Sequence, residues 1–324
     1  MASFRIVCTL AGAAFVATAS AAGAQTWPSR PIQVISPFSA GNATDIVARV
    51  VLDQISRQFG QSFVIENRPG GGGILGAATV AKADPDGYTI LLSSSSMSSQ
   101  VVLHKTLPFD TVHDFTPVVM FGIQPNVLVT GPSKEWKSIG DLIATAKAKP
   151  GELNFASAGV GAASHMAGER LRLAADIKVQ HIPFRGPVEA VTEVMAGRVD
   201  YYYLPIAPAL PNIKNDKVVA LAVSTPKRAD LLPEVPSVVE AGYPRAQYLF
   251  WGGLAAPAAT PRAIIDKLHD ETQKALQTPA VREKLATLGV QLMPMSVDEF
   301  GKFVRDDVAA TVSLAKEINL APTN

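Results

Sequence analysis

"ENRPGGGGILGAATVAKADPDGY", Glu66 to Tyr88, sets four glycines in a row between an apolar run and a small-residue stretch of helical pattern. Gly71, Gly73 and Gly76 spell G-x-G-x-x-G, the form of a dinucleotide-binding turn. The surroundings reject that reading. A dinucleotide fold needs a carboxylate roughly 20 residues beyond the glycines, at the end of the next strand. Here the position falls on Ser93-Ser94-Ser95-Ser96. Arg68-Pro69 also loosens the turn, and Gly76 is followed by Ala77-Ala78 where a phosphate-binding P-loop requires Lys and Ser or Thr.

Outward from this stretch the same design recurs. "VISPFSAGNATDIVARV" has Gly41 in a turn, with Thr44-Asp45 opening a helix. "LNFASAGVGAASHMAGERL" has Gly159 and Gly161 in a turn, with Ser164 as the expected N-cap. One glycine turn of this kind is an ordinary strand-to-helix connector; three of one composition favour a shared role. Glycines let backbone N–H groups approach a ligand closely, and a helix N-terminus adds its positive end. Such loops, facing one cleft, bind a carboxylate without any lysine or arginine. Asp45 is expected to cap its own helix, because a carboxylate turned toward a bound anion would repel it.

Strand-like runs alternate with helical periods along most of the chain. "IQVISPF", "SFVIEN", "YTILLSSSS", "NVLVTG", "LNFASAG", "VQHIPF", "VDYYYLP" and "VVALAVST" read as strands. The alternation predicts an α/β fold, with mostly parallel sheets covered by helices. In Tyr201-Tyr202-Tyr203 the period of two sends the first and third side chains one way and the second the other. Tyr203, near the strand end, is open to two readings, core packing or ligand contact. Toward the C-terminus Thr260-Pro261 reads as N-cap and first helical residue, and Ser296 to Glu299 as a capping box opening a last long helix.

The first residues have another character. Arg5 is followed by an apolar, alanine-rich run and then Ala22-Gly23-Ala24, the pattern of a secretory leader cleaved just before Gln25. The run is shorter than the ~20 residues that span a bilayer. Cys8 lies inside it and lacks the small-residue context of a lipoprotein cysteine. The mature chain then has no cysteine, and loss of Arg5 takes its formal charge from +1 to 0. An exported chain of zero formal net charge, from a sequence 48% hydrophobic and 18% charged, is expected to be globular with no electrostatic footprint for nucleic acid or membrane. Export also argues against NAD or ATP as ligand. Its length suits two lobes, because single cores rarely grow past ~250–300 residues.

Catalytic and metal patterns are missing. His104, His113, His165, His181 and His269 show no paired metal spacing, and no G-x-S-x-G elbow exists. His165 stands just inside the helix after the third glycine turn, either as a helix-surface residue or within reach of ligand. No metal and no cofactor are expected.

Nearly the whole mature chain resembles the Bug-type, TctC-like periplasmic solute-binding proteins of tripartite tricarboxylate transporters. The resemblance is carried by "WPSRPIQVISPFSAGNATDIVAR", "VIENRPGGGGILGAATVAKADPDGYTILL", "LPFDTVHDFTPV", "FASAGVGAASHMAGE" and "IPFRGPVEAVTEVMAGRVD". N-R-P-G-x-G-G-x-x-G followed by P-D-G-Y-T is its most specific part. It implies a two-lobed, type II-like Venus flytrap whose chain crosses twice, with lobe 1 at residues 25–123 and 249–324 and lobe 2 at 124–248. It also implies a ligand carboxylate held by the first two glycine loops through backbone N–H groups and waters. The positions carried over are Pro37, Phe38, Ser39, Ala40, Gly41, Asn42 and Asp45, then Asn67, Pro69, Gly70, Gly71, Gly72 and Gly73. Ser93 and Ser94, the stretch Ala158, Gly159, Gly161, Ala162 and Ser164, and Tyr203 complete the implied cleft.

Two departures bear on the ligand. The family's P-G-G in the first loop is Ala40-Gly41-Asn42 here, where Asn42 is expected to serve in a positive-φ conformation. The family's Asp-Asn pair after the G-x-V-D strand is Leu204-Pro205, which removes a carboxylate partner for an ammonium group. The expected ligand is an unamined organic acid, a di- or tricarboxylate or an aromatic acid. The expected partners are membrane transporter subunits, with a periplasmic location and a monomeric state. A co-receptor for a sensor kinase and an exported enzyme are the rival readings.

Overall fold

The computed structural model describes residues 27–322. The expected leader, Met1 to about Ala24 with Cys8 inside it, lies outside the described residues. The chain opens with β1 (Ile32–Ser36), α1 (Ala43–Phe59), β2 (Phe63–Asn67), a 3-10 turn at Gly71–Gly73, α2 (Ile74–Ala81), β3 (Thr89–Ser94), α3 (Ser96–Leu103) and β4 (Phe115–Gln124). A second series follows: β5 (Asn126–Thr130), α4 (Ile139–Ala148), β6 (Asn154–Ser157), α5 (Ala163–Ala174), β7 (Gln180–Pro183), α6 (Pro187–Met195), β8 (Tyr201–Pro205), α7 (Ile206–Lys214) and β9 (Val219–Val223). The chain then adds β10 (Phe250–Pro257), α8 (Arg262–Gln277), α9 (Pro279–Thr287) and α10 (Val297–Glu317).

Two five-stranded sheets result, in the orders β2-β1-β3-β10-β4 and β7-β6-β8-β5-β9. They follow one plan. Four strands run the same way, and the fourth in order, β10 or β5, runs against both neighbours. The expectation of mostly parallel sheets flanked by helices holds, with one opposed strand making each sheet mixed. The opposed strands follow from the crossings: β5 starts two residues after β4 ends, and β10 comes back from the second series into the first sheet.

Central strands are apolar on both faces because helices cover both. Ile32 and Val34 of β1 face one core with Val47, Val51 and Ile55 of α1, and Ile35 faces another with Ala77 and Val80 of α2. All of these except Val47 are 0% exposed, and each large one contributes roughly 1.5–3 kcal/mol by burial. The tyrosine alternation holds: Tyr201 and Tyr203 join one cluster of the second sheet and Tyr202 the other. The capping box of Ser296 and Glu299 is formed at the start of α10. Its companion at α8 is shifted by one residue, since Pro261, with ψ 135, is the N-cap and Arg262 the first helical residue. α10 serves both sheets: Phe300 and Val304 pack near β4 and β10, while Leu314 enters the core of the second sheet.

Candidate functional site

In the first loop Gly41 takes φ +79 and so turns the chain after β1. Asn42 does not take the positive-φ conformation expected of it. With φ −71 and ψ 167 it is the N-cap of α1, accepting the Asp45 N–H on Oδ1 at 3.1 Å and donating from Nδ2 to Ser39 O at 2.6 Å. Asp45 is fully buried one turn inside, so it is not itself the cap. Its carboxylate accepts Gly41 N–H at 2.9 Å, Asn67 Nδ2 at 3.0 Å and Arg49 Nε at 2.9 Å. Burial alone would raise its pKa, but the bonds from Arg49, Gly41 and Asn67 together hold it below the ordinary value. Asp45 thus ties the first loop to the second.

The second loop explains its own composition. Gly70, Gly71, Gly72 and Gly73 all have positive φ, 142, 55, 67 and 105, a run that side chains rarely adopt. Asn67 Nδ2 donates to Phe38 O at 3.0 Å, and Gln100 Nε2 donates to Gly72 O at 2.6 Å. Pro69, Gly70, Gly71 and Gly72 are exposed, and Gly73 is buried against Gln100 and Pro37. At the end of β3, Ser93 Oγ donates to Met97 Sδ, and the hydroxyls of Ser94 and Ser96 share a hydrogen bond of 2.8 Å.

The third loop is held from behind by two histidines. α5 starts at Ala163 with Ala162 as N-cap, so Ser164 is not the cap. Its hydroxyl accepts Ala158 N–H at 3.0 Å and bonds Tyr202, whose phenol is pushed up to about 12 by burial. His165, 3% exposed, is no surface residue; its Nδ1 accepts Gly161 N–H at 3.0 Å. His181 Nε2 lies 2.6 Å from Ser157 Oγ, which also bonds Gly159. The two imidazoles stack with centroids 4.0 Å apart. Burial, with His181 beside it, lowers His165 to about 3, and burial lowers His181 to about 4, so both are neutral near pH 7.

A cavity of about 430 Å³ lies where the two sheets' loops meet. Phe38 and Asn42 to Thr44 line it after β1, and Ser94 and Ser96 after β3. Ala158 and Ala162 to Ser164 line it after β6, Pro187 after β7, and Tyr202, Tyr203 and Pro205 at the end of β8. The crossing strands add Asn126 and Phe250. Of the expected residues, the structure gathers Phe38, Asn42, Ser94, Ala158, Ala162, Ser164 and Tyr203 here. Pro37, Ser39, Ala40, Gly41, Asp45, Ser93, Gly159, Gly161 and the whole second loop are not among its lining residues.

Sequence reasoning missed Ala43, Thr44, Ser96, Asn126, Pro187, Tyr202, Pro205 and Phe250. "PFRGPVE" carried a signal for Pro187, a strand-end glycine and a helix-starting proline. Asn126 and Phe250 carried none, because they reach the site through the crossings.

No charged side chain lines the cavity. Instead the N-terminal ends of α1, α3, α5, α6 and α7 border it, each with a partial positive charge of about half a unit. Among the described residues no group of His, Cys, Asp or Glu could hold a metal ion. Such a lining suits an anion with an apolar body; among the described residues it holds no carboxylate to pair an ammonium group.

Residues 47–320 match the model of the tripartite tricarboxylate transporter family receptor, TctC. The chain is 39% identical to a protein from the tcbD-tcbE intergenic region of Pseudomonas sp. (strain P51), covering 87% of this chain and 85% of that one. An R. palustris protein solved with adipate, Rpa4515, matches with a TM-score of 0.80 at 29% identity, over 91% of this chain and 99% of the other. The periplasmic binding protein BugD matches with a TM-score of 0.77 at 30% identity, over 92% and 100%.

Proposed function

Since the chain belongs to the tripartite tricarboxylate transporter family of receptors, we propose that it captures a small organic carboxylate in the periplasm and delivers it to membrane transporter subunits. The observation that carries this reading is the convergence of five helix N-termini on a cavity without a charged side chain. Partial positive charges attract the carboxylate, and neutral hydroxyls and amides orient it. The adipate held by the R. palustris neighbour supports the ligand class. Amino acids are disfavoured as ligands, since none of the lining residues is a carboxylate that would pair their ammonium group.

Lobe 1 is residues 25–123 with 249–324 and lobe 2 is 124–248, in a monomer exported by a cleaved leader. The cleft binds and releases its acid without converting it. The first glycine loop holds the carboxylate, and the exposed second loop, tied to the first through Asp45, supports it through ordered water; the third loop meets the ligand from lobe 2. Ligand then favours the closed form through whatever contacts exist only there.

A thermal-shift screen of the mature protein tests this against di- and tricarboxylates, aromatic acids and amino acids. A ligand at ~100 times its Kd adds roughly 2.7 kcal/mol, a readable rise in Tm. Stabilisation by an acid class but not by amino acids is the expected result; stabilisation by amino acids alone overturns the reading. Gly72→Asp belongs in the same screen. Its site is exposed, with nothing within 4 Å of where a Cβ would stand, and Asp tolerates the left-handed conformation better than most residues. The variant is expected to fold and to lose at least about tenfold in acid affinity through like-charge repulsion. Unchanged affinity would remove the second loop from the site.

A further inference from the structure

Two elements of the cavity wall are held from behind by a single oxygen. Ser96, which lines the cavity, opens α3, and Ser98 stands two residues on, roughly 200° round the helix and so on its opposite face. The buried Ser98 hydroxyl donates to Asp307 Oδ2 of α10 at 2.7 Å. Phe250 lines the cavity from β10, and the strand sends the side chain of its neighbour Trp251 to the other face. There Trp251 Nε1 donates to the same Oδ2 at 3.1 Å. Asp307 is not itself a lining residue. About two turns further along α10, Leu314 enters the core of the second sheet, so the anchor is fixed against both sheets.

α3 needs such an anchor. Its eight residues make a helix that is marginal by itself, and its N-cap, Ser95, makes no side-chain cap bond. The charge of Asp307 is not what the fold gains from it. Burial raises its pKa above the ordinary carboxylate value, despite the bonds from Ser98 and Trp251 and the nearby Arg170, so the ionised form costs stability near neutral pH. What the side chain supplies is one acceptor that reaches two donors. We propose that Asp307 is a positioning residue for the ligand: through Ser98 and Trp251 it sets the start of α3 and Phe250 at the cavity wall, and with them the affinity for the acid. This inference rests on the carboxylate reading above.

Calorimetric titration with adipate, malate and terephthalate, beside amide hydrogen exchange of the ligand-free protein, tests the anchor. Ser98→Ala is expected to weaken whichever of these acids binds by at least about tenfold, and to speed exchange in α3. Its Tm should fall by no more than the roughly 2–4 °C of one hydrogen bond. Asp307→Asn keeps the acceptor without the charge and should bind within about threefold of the unsubstituted chain. Asp307→Ala should bind at least as weakly as Ser98→Ala, and the double variant no more weakly than Asp307→Ala, because both changes remove one tie. Full affinity or unchanged α3 exchange in Ser98→Ala overturns the positioning role and leaves the carboxylate reading standing. Weakening of Asp307→Asn to the level of Asp307→Ala overturns it too, because the acceptor was kept. If none of the three acids binds the unsubstituted chain, the carboxylate reading falls and this inference with it.

Discussion

His165 and His181 show what one residue type contributes in two settings. Each sits in the apolar ground behind the third loop, stacked on the other and near Phe155, and each is neutral there. Neutrality matters for His165, because only an unprotonated Nδ1 accepts the Gly161 N–H. Unfolded, both imidazoles titrate near ~6.5. Below that pH the unfolded chain binds more protons than the folded one, down to the folded values of about 3 and 4. Stability is therefore full above pH ~6.5 and falls as pH drops, by up to about 1 kcal/mol per pH unit for each ring. Urea unfolding between pH ~4.5 and ~7.5 should show this slope, and His165→Gln with His181→Gln should flatten it. A slope unchanged in the double variant would place its source in other groups.

Gly161 belongs to the third loop and Leu103 ends α3, so their contact is one between elements of the two sheets. A Cβ on Gly161 would stand 2.1 Å from Leu103 Cδ1, and its φ is +76. Gly161→Ala must therefore displace α3 or the loop, which moves the walls of the cavity. Acid affinity is expected to fall at least about tenfold, since misplacements of about an ångström carry such costs. Leu103→Ala in the same chain should restore most of it. If the double variant stays as weak as the single, backbone strain and not the contact is responsible. α3 itself was hidden in the sequence. Its serines read as the tail of a strand, and only its contact with α10, where Ser98 Oγ donates to Asp307 Oδ2 at 2.7 Å, shows why it is helical.

Over the whole molecule, charge is balanced and the cavity lining holds none of it. Long-range steering of an anion needs a field that extends past a Debye length, and a neutral chain with a neutral cleft supplies little. The association rate of the bound acid, followed by stopped-flow fluorescence, should change less than about threefold between ~20 mM and ~500 mM salt. A fall of about tenfold would reveal a basic surface patch acting at a distance. The three tryptophans of the chain give the signal, Trp251 among them, buried beneath the second crossing.

The strand–glycine–helix units, the tyrosine alternation and the capping box of α10 were legible because each depends on residues within a few positions of one another. The run Gly70 to Gly73 announces its positive φ angles, since no other residue would persist in four of them. Local pattern also errs by a residue or two at helix starts, as at Ser164 and Pro261, where the geometry of the preceding loop decides the cap. The opposed strands β5 and β10 were beyond it. "FTPVVMFGIQ" and "FWGGLAAP" pair with each other across more than a hundred residues of chain, and no local period encodes a partner so far away. Residue order alone dictates glycine cradles at helix starts, with no lysine or arginine among their glycines. Which cradles line the cavity is a matter of packing over long range, because the two crossings join the sheets so that their loops meet at one cavity, with Asn126 and Phe250 on its wall.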